Sequence, residues 1–154
     1  MWLMGQYHQA LDARGRVLLP DSFRKAIGAT ELRKGLVATR GFDRCVYLFP
    51  ARAWEAVVEG FSPLLLKGRD ARRLERLFLG EAEELAVDRL GRIALPDRLR
   101  ARAGLGGQAL FIGAAARIEI WHPARWAGLE GSMRERYEEL AEAFYRFFHR
   151  RNLA

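Results

Sequence analysis

The feature that most constrains this chain is a gapless internal repeat. Residues 11–28 read LDARGRVLLPDSFRKAIG, and residues 87–104 read VDRLGRIALPDRLRARAG. Asp12, Gly15, Arg16, Leu19, Pro20, Asp21, Arg24 and Gly28 recur in register as Asp88, Gly91, Arg92, Leu95, Pro96, Asp97, Arg100 and Gly104. A second echo follows downstream, Phe49-Pro50-Ala51-Arg52-Ala53-Trp54 against His122-Pro123-Ala124-Arg125-Trp126. Two matching stretches in the same order in both halves identify duplication of one supersecondary unit. A unit of about fifty residues with four short strands buries too little to be robust alone, so pairing of the copies is expected.

Each copy reads the same way. A strand (Gln6 to Leu11; Glu84 to Val87) runs into a tight turn at Asp-x-x-Gly-Arg, and a second strand follows (Val17 to Leu19; Ile93 to Leu95). Proline then opens a short helix that Gly28 or Gly104 ends. A hairpin comes next, Leu36 to Thr39 with Cys45 to Phe49, and Ala109 to Ile112 with Ile118 to Trp121. Pro50 or Pro123 starts another helix, carrying Trp54 or Trp126. The fold class is therefore mainly β with short helices, in two tandem units related by the repeat. The organisation expected is a first repeat at 5–60, a helical connector at 61–80, a second repeat at 81–130 and a C-terminal helix at 131–154. In the connector, Leu74, Leu77 and Phe78 fall at helical spacing among Arg72, Arg73 and Arg76. Ser132, with Glu135 three residues on, reads as an N-cap, and Met133, Tyr137, Leu140, Phe144 and Phe147 form an apolar stripe beyond it.

The chemistry concentrates in the two turns, Asp12-Ala13-Arg14-Gly15-Arg16 and Asp88-Arg89-Leu90-Gly91-Arg92. Glycine permits the sharp reversal, and the aspartate can bind turn amides or hold the last arginine in one rotamer. A guanidinium fixed in advance loses less entropy on meeting a phosphate or a base edge. A plain hairpin turn with an internal ion pair is the alternative, contributing about 0–1 kcal/mol at a surface. The same Asp, Gly and Arg in both copies favour function, because so small a term does not explain a repeated constellation.

Composition supports a polyanion as partner. The formal net charge is +7, and of 26 basic residues only Lys25, Lys34 and Lys67 are lysine. Arginine's planar fork grips phosphate or guanine with two parallel hydrogen bonds, which lysine cannot do. A solvated arginine-rich surface would have the same composition, so charge alone does not decide. With 50% hydrophobic residues the chain can bury a core. Its longest apolar runs, such as Leu64-Leu65-Leu66, are far too short for a membrane span, and Met1 to Gln6 has no secretion-signal pattern. Cys45 stands alone in an apolar run, as expected for a core thiol in a cytoplasmic protein. No metal or cofactor site is expected: His8, His122 and His149 are scattered, and Gly104-Leu105-Gly106-Gly107 reads as a helix stop rather than a nucleotide cradle. Glu81, Glu83 and Glu84 read as a solvated acidic patch or a partner for a basic residue of a neighbouring subunit in an oligomer, and Trp54, Trp121 and Trp126 as core anchors. Nothing suggests an enzyme or a small-molecule substrate.

The paired Asp-x-x-Gly-Arg-x-x-x-Pro motifs, the connector Arg72 to Ala82 and the late Glu119-Ile120-Trp121 together resemble the MraZ family over nearly all of residues 5–130. The resemblance implies a tandem of AbrB-like swapped-hairpin β-barrel units. It also implies a cytoplasmic, nucleoid-associated repressor that binds short G-rich direct repeats upstream of a division and cell-wall operon, as a ring-shaped homo-oligomer on double-stranded DNA. It places Asp12 and Arg16, and Asp88 and Arg92, on the family's DNA-binding motifs, with Gly15 and Gly91 between them. Arg14 falls where that family often has lysine, and Arg89 has only Ala13 opposite it in the other copy. Two other readings of the same barrel remain: an antitoxin or transition-state regulator whose C-terminal helix grips a protein, and an RNA-binding assembly protein.

Overall fold

The computed structural model describes residues 2–61 and 68–152, and the chain divides after His122 into two compact units. From the first repeat come β1 (Gln6–Ala10), β2 (Arg16–Leu18), α1 (Asp21–Ile27), α2 (Ala29–Arg33), β3 (Leu36–Arg40), β4 (Val46–Pro50) and α3 (Ala51–Phe61). The connector supplies α4 (Arg69–Gly80). The second repeat adds β5 (Glu83–Leu85), β6 (Arg92–Ala94), α5 (Asp97–Ala103), β7 (Gln108–Ala114) and β8 (Arg117–Trp121). The C-terminal unit holds α6 (Pro123–Glu135) and α7 (Tyr137–Asn152). Leu64-Leu65-Leu66 and Lys67 lie outside the described residues.

The repeats interlock. A six-stranded sheet runs β1-β7-β8-β4-β3-β5, and β2 pairs with β6 in a separate ribbon, every pair antiparallel. Thus β1 lies on the second repeat's hairpin, with Tyr7 opposite Phe111, and β5 on the first repeat's, with Leu85 opposite Leu36. The hairpins meet through β4 and β8, Val46 opposite Ile120. Exchanging each strand for its repeat counterpart leaves the order unchanged. This is the α+β, two-copy architecture expected of the sequence, strands and helices recurring in both repeats.

Side chains alternate across a strand, so each β-element contributes every second residue to one core. Val46, Leu48, Ile118 and Ile120 line it from the sheet. Val17 and Ile93, opposite one another in the ribbon, enclose it with Phe23 and Ile27 of α1 and Leu99 of α5. Burying a side chain of this size contributes about 1.5–3 kcal/mol. Because both repeats supply these residues, neither copy retains the core without the other.

The other face of β4 carries aromatic residues. Tyr47 and Phe49 meet Phe78 of α4 at 6.4 Å between centroids, while Trp54 of α3 stacks on Phe78 at 5.9 Å. The Thr39 hydroxyl of β3 is buried and donates to the Phe78 carbonyl. Trp54 and the buried Trp121 therefore serve packing, as expected of core anchors. Cys45 is a buried free thiol facing the Phe42 carbonyl oxygen at 3.1 Å, and burial pushes its pKa up, so it stays protonated and inert.

One helix boundary differs from the expectation. Ser132 is not an N-cap: it lies inside α6, its hydroxyl donating back to the Leu129 carbonyl at 2.9 Å, and the next helix begins at Tyr137. A serine can satisfy its hydroxyl within a helix in this way, which hides the difference from a cap in sequence. Tyr137, Phe144 and Phe147 of the apolar stripe are exposed on α7.

Candidate nucleic-acid interface

The two turns share one set of hydrogen bonds. In the first, the Gly15 amide donates to the Asp12 carbonyl and the Asp12 amide to the Arg16 carbonyl, closing the reversal at 3.0 and 3.1 Å. One Asp12 carboxylate oxygen accepts the Arg14 and Arg16 amides, both at 2.9 Å, and the other accepts Arg16 Nε at 2.7 Å. In the second turn the Asp88 carboxylate accepts the Leu90 and Arg92 amides at 2.9 Å and Arg92 Nε at 2.8 Å. Each aspartate thus builds the turn and orients its arginine. The Arg16 amide, then its guanidinium and the Arg14 amide, hold Asp12 below the ordinary carboxylate value of 3.8. The Arg92 amide, its guanidinium and the Leu90 amide do the same for Asp88.

Both arginines remain at the surface. Their side chains are 44% (Arg16) and 39% (Arg92) exposed. With Nε occupied by the aspartate and no other side-chain partner among the described residues, the two terminal nitrogens of each remain for an outside acceptor. In the ribbon, Arg16 stands opposite Ala94 and Leu18 opposite Arg92. Val17 and Ile93 between them point into the core. By alternation, Arg16 and Arg92 lie on the same outward face, two residues apart along the ribbon, or about 7 Å. Sequence separates these motifs by the length of a repeat; the fold sets them side by side. Arg14 and Arg89 are also exposed, at different positions of their turns.

Two further arginines, recurrent in the sequence but given no role there, cover the turn glycines crosswise. Gly15 and Gly91 are buried, with φ of 76° and 83°. A β-carbon on Gly15 would stand 2.6 Å from Cζ of Arg100, and one on Gly91 would stand 2.7 Å from Cδ of Arg24. Glycine is needed for the backbone and for this close approach alike. The backbone is locked in the same crosswise sense, the Leu19 amide donating to the Gly91 carbonyl and the Leu95 amide to the Gly15 carbonyl, both at 2.9 Å. Arg24 pairs with Asp21, and Arg100 with Asp97. The signal for these positioning residues was their recurrence in the repeat; their partners lie in the opposite copy.

Glu81 corrects the acidic-patch expectation. Its side chain is 13% exposed and pairs with Arg102 of α5 at 3.0 Å and Arg40 of β3 at 3.7 Å, within the chain. Glu83 and Glu84 are exposed. Glu119, on β8, accepts from Arg117 at 2.7 Å and from the Trp121 indole at 3.0 Å, with the Arg117 guanidinium 4.7 Å from the Tyr47 ring centre. Among the described residues no group of histidine, cysteine or carboxylate side chains gathers as a metal site, and no helix is long and apolar enough to cross a membrane.

The MraZ family model, whose description calls it antitoxin-like, matches residues 2–77 and again 78–148. The chain belongs to the MraZ family. It is 37% identical over 144 residues to the transcriptional regulator MraZ of Natranaerobius thermophilus, covering 94% of this chain and 97% of that relative. The transcriptional regulator MraZ of Halothermothrix orenii is 38% identical, over 91% of this chain and 94% of its own length. That of Roseiflexus castenholzii is 38% identical, over 84% and 87%. These relatives are named as regulators, not as enzymes. Each copy of the MraZ unit carries one of the two turns, and the match to residue 148 takes in α6 and most of α7, beyond the stretch whose sequence alone shows the resemblance.

Proposed function

We propose that this chain is a sequence-specific DNA-binding transcriptional regulator whose contacts are made by Asp12, Arg14, Gly15 and Arg16 in one turn and Asp88, Arg89, Gly91 and Arg92 in the other. The observation that carries the reading is the pair of carboxylate-steadied guanidinium groups on one outward face of the β2–β6 ribbon. The B-DNA major groove, about 12 Å wide, admits a two-stranded ribbon, and arginine forks there can span guanine O6 and N7. Arginines that meet phosphates supply salt-sensitive affinity; those that meet base edges supply specificity. The relatives' name, and the family to which the chain belongs, support regulation of transcription.

The finer reading is a cytoplasmic, nucleoid-associated repressor of its own division and cell-wall operon. A ring-shaped homo-oligomer would present many ribbons to successive short direct repeats, so that weak contacts combine as avidity.

Gel-shift titration on duplex DNA from upstream of the gene, with light scattering alongside, tests this. Arg16→Ala and Arg92→Ala are each expected to weaken binding by about 1–3 kcal/mol, with folding and assembly unchanged. Wild-type binding by both variants would sink the assignment. Preference for RNA of the same sequence in competition would turn it toward the RNA-binding reading.

A further inference from the structure

Beside the second turn lies a cleft of about 470 Å³ lined by Arg24, Lys25 and Arg33 from the first repeat and by Asp88, Arg89 and Gly91 from the second. Four cations therefore meet there. Of the carboxylates, Asp88 is committed to turn amides and Arg92, while Asp21 on α1 pairs with Lys25 at 2.8 Å and Arg24 at 3.4 Å. Among the described residues neither Arg33 nor Arg89 is ion-paired; Arg33 makes only a 3.3 Å hydrogen bond to the Thr30 hydroxyl.

The corresponding cleft at the first turn differs in kind. It is about 280 Å³ and is lined by Leu11, Asp12, Ala13, Arg100 and the Leu105-Gly106-Gly107 segment. Ala13 stands where the second turn has Arg89, and Ala101 where α1 has Lys25. Where α2 supplies Arg33, the second copy has Leu105-Gly106-Gly107. One cation remains, Arg100, and it is tied to Asp97. A cluster of cations around an open cleft, with two guanidinium groups left without a carboxylate, has the charge and donor count that a phosphate dianion or diester demands.

We propose that the cleft formed by Arg24, Lys25, Arg33 and Arg89 is a phosphate seat that takes a backbone phosphate of the DNA flanking the bases met at the second turn. This rests on the DNA-binding reading above and deepens it: the second turn anchors the backbone through a seat the first turn lacks. Phosphate contacts position a protein without reading sequence, so this seat adds affinity on any duplex.

The test is the slope of log Kd against log salt, on the upstream duplex and on an unrelated duplex of equal length. For Arg33→Ala/Arg89→Ala the slope is expected to flatten by about 0.9 for each phosphate no longer neutralised, equally on both duplexes. Arg33→Lys/Arg89→Lys, which keeps the charge, is expected to retain most of the slope. Arg146→Ala/Arg150→Ala removes as much charge from α7 and is expected to leave it unchanged. A wild-type slope in the Arg33→Ala/Arg89→Ala protein, or equal flattening by the α7 pair, would overturn the seat. Inorganic phosphate provides the second arm. If it raises the melting temperature of the wild type through Arg33 and Arg89 while the DNA slope stays intact, the cleft takes a free anion and the proposal is overturned. Failure of the wild type to bind either duplex would instead sink the DNA-binding reading itself.

Discussion

The two turns of this molecule have the same skeleton and different company. Their carboxylate hydrogen bonds agree to within 0.1 Å, and in each a buried glycine at positive φ lies beneath an arginine of the opposite repeat. Yet the first turn offers Arg14 where the second has the exposed Leu90, and the second has Arg89 where the first has Ala13. The cleft beside one gathers four cations and that beside the other gathers one. Duplication kept what makes the turn fold and left free what the turn meets. Five residues close their own hydrogen bonds whatever surrounds them, whereas the chemistry around them comes from elements that diverged.

The covering arginines offer the strongest way to break this comparison. Arg100 is 18% exposed and Arg24 30%, so the lid over the first glycine has less room to move aside. Gly15→Ala and Gly91→Ala both force a side chain into left-handed backbone and against a guanidinium, at a cost of about 1–3 kcal/mol. Denaturant unfolding is expected to show the larger loss for Gly15→Ala. Equal or negligible losses would mean that the lids move freely and the turns are not clamped.

A smaller effect sharpens which lid serves which turn. Arg100→Met is expected to speed hydrogen exchange at the Gly15 amide, and Arg24→Met at the Gly91 amide, each by about fivefold, the factor that 1 kcal/mol of local opening produces. Acceleration at the glycine of the same repeat instead would contradict the crosswise packing.

The smallest effect concerns acid. Asp12 and Asp88 titrate below 3.8 in the folded chain, so their contribution to stability is complete above that value and is lost as pH falls through the lowered one. Carboxyl NMR titration is expected to show both aspartates ionised throughout pH 5–8. Arg16→Ala should move Asp12 back toward its ordinary value while leaving Asp88 in place. Concerted movement of both would show that the two turns are coupled rather than separately built.

Much of this was legible in the sequence. The repeat, the strands around Val17 and Ile93, the hairpins and the turn residues all follow from patterns within a few positions, where alternation and hydrogen bonding are decided locally. Ser132 misleads because a hydroxyl near a helix terminus and one bonded back within a helix look alike in sequence. Glu81 misleads because its partners, Arg40 and Arg102, lie 41 and 21 residues away. Neighbouring Glu83 and Glu84 do face solvent, so a run of like residues is no guide to its members.

By itself, then, the sequence determined that there would be two Asp-x-x-Gly-Arg reversals, each able to steady an arginine with its own aspartate. Only the tertiary structure decided that Arg16 and Arg92 share one face, that each glycine is covered from the other copy, and that the cleft at the second turn draws three of its four cations from the first repeat. The physical reason is strand exchange. Each copy is too small to enclose its own core, so β1 and β5 cross to the opposite hairpin and β2 pairs with β6. Pairing over that distance brings together side chains that no local pattern connects.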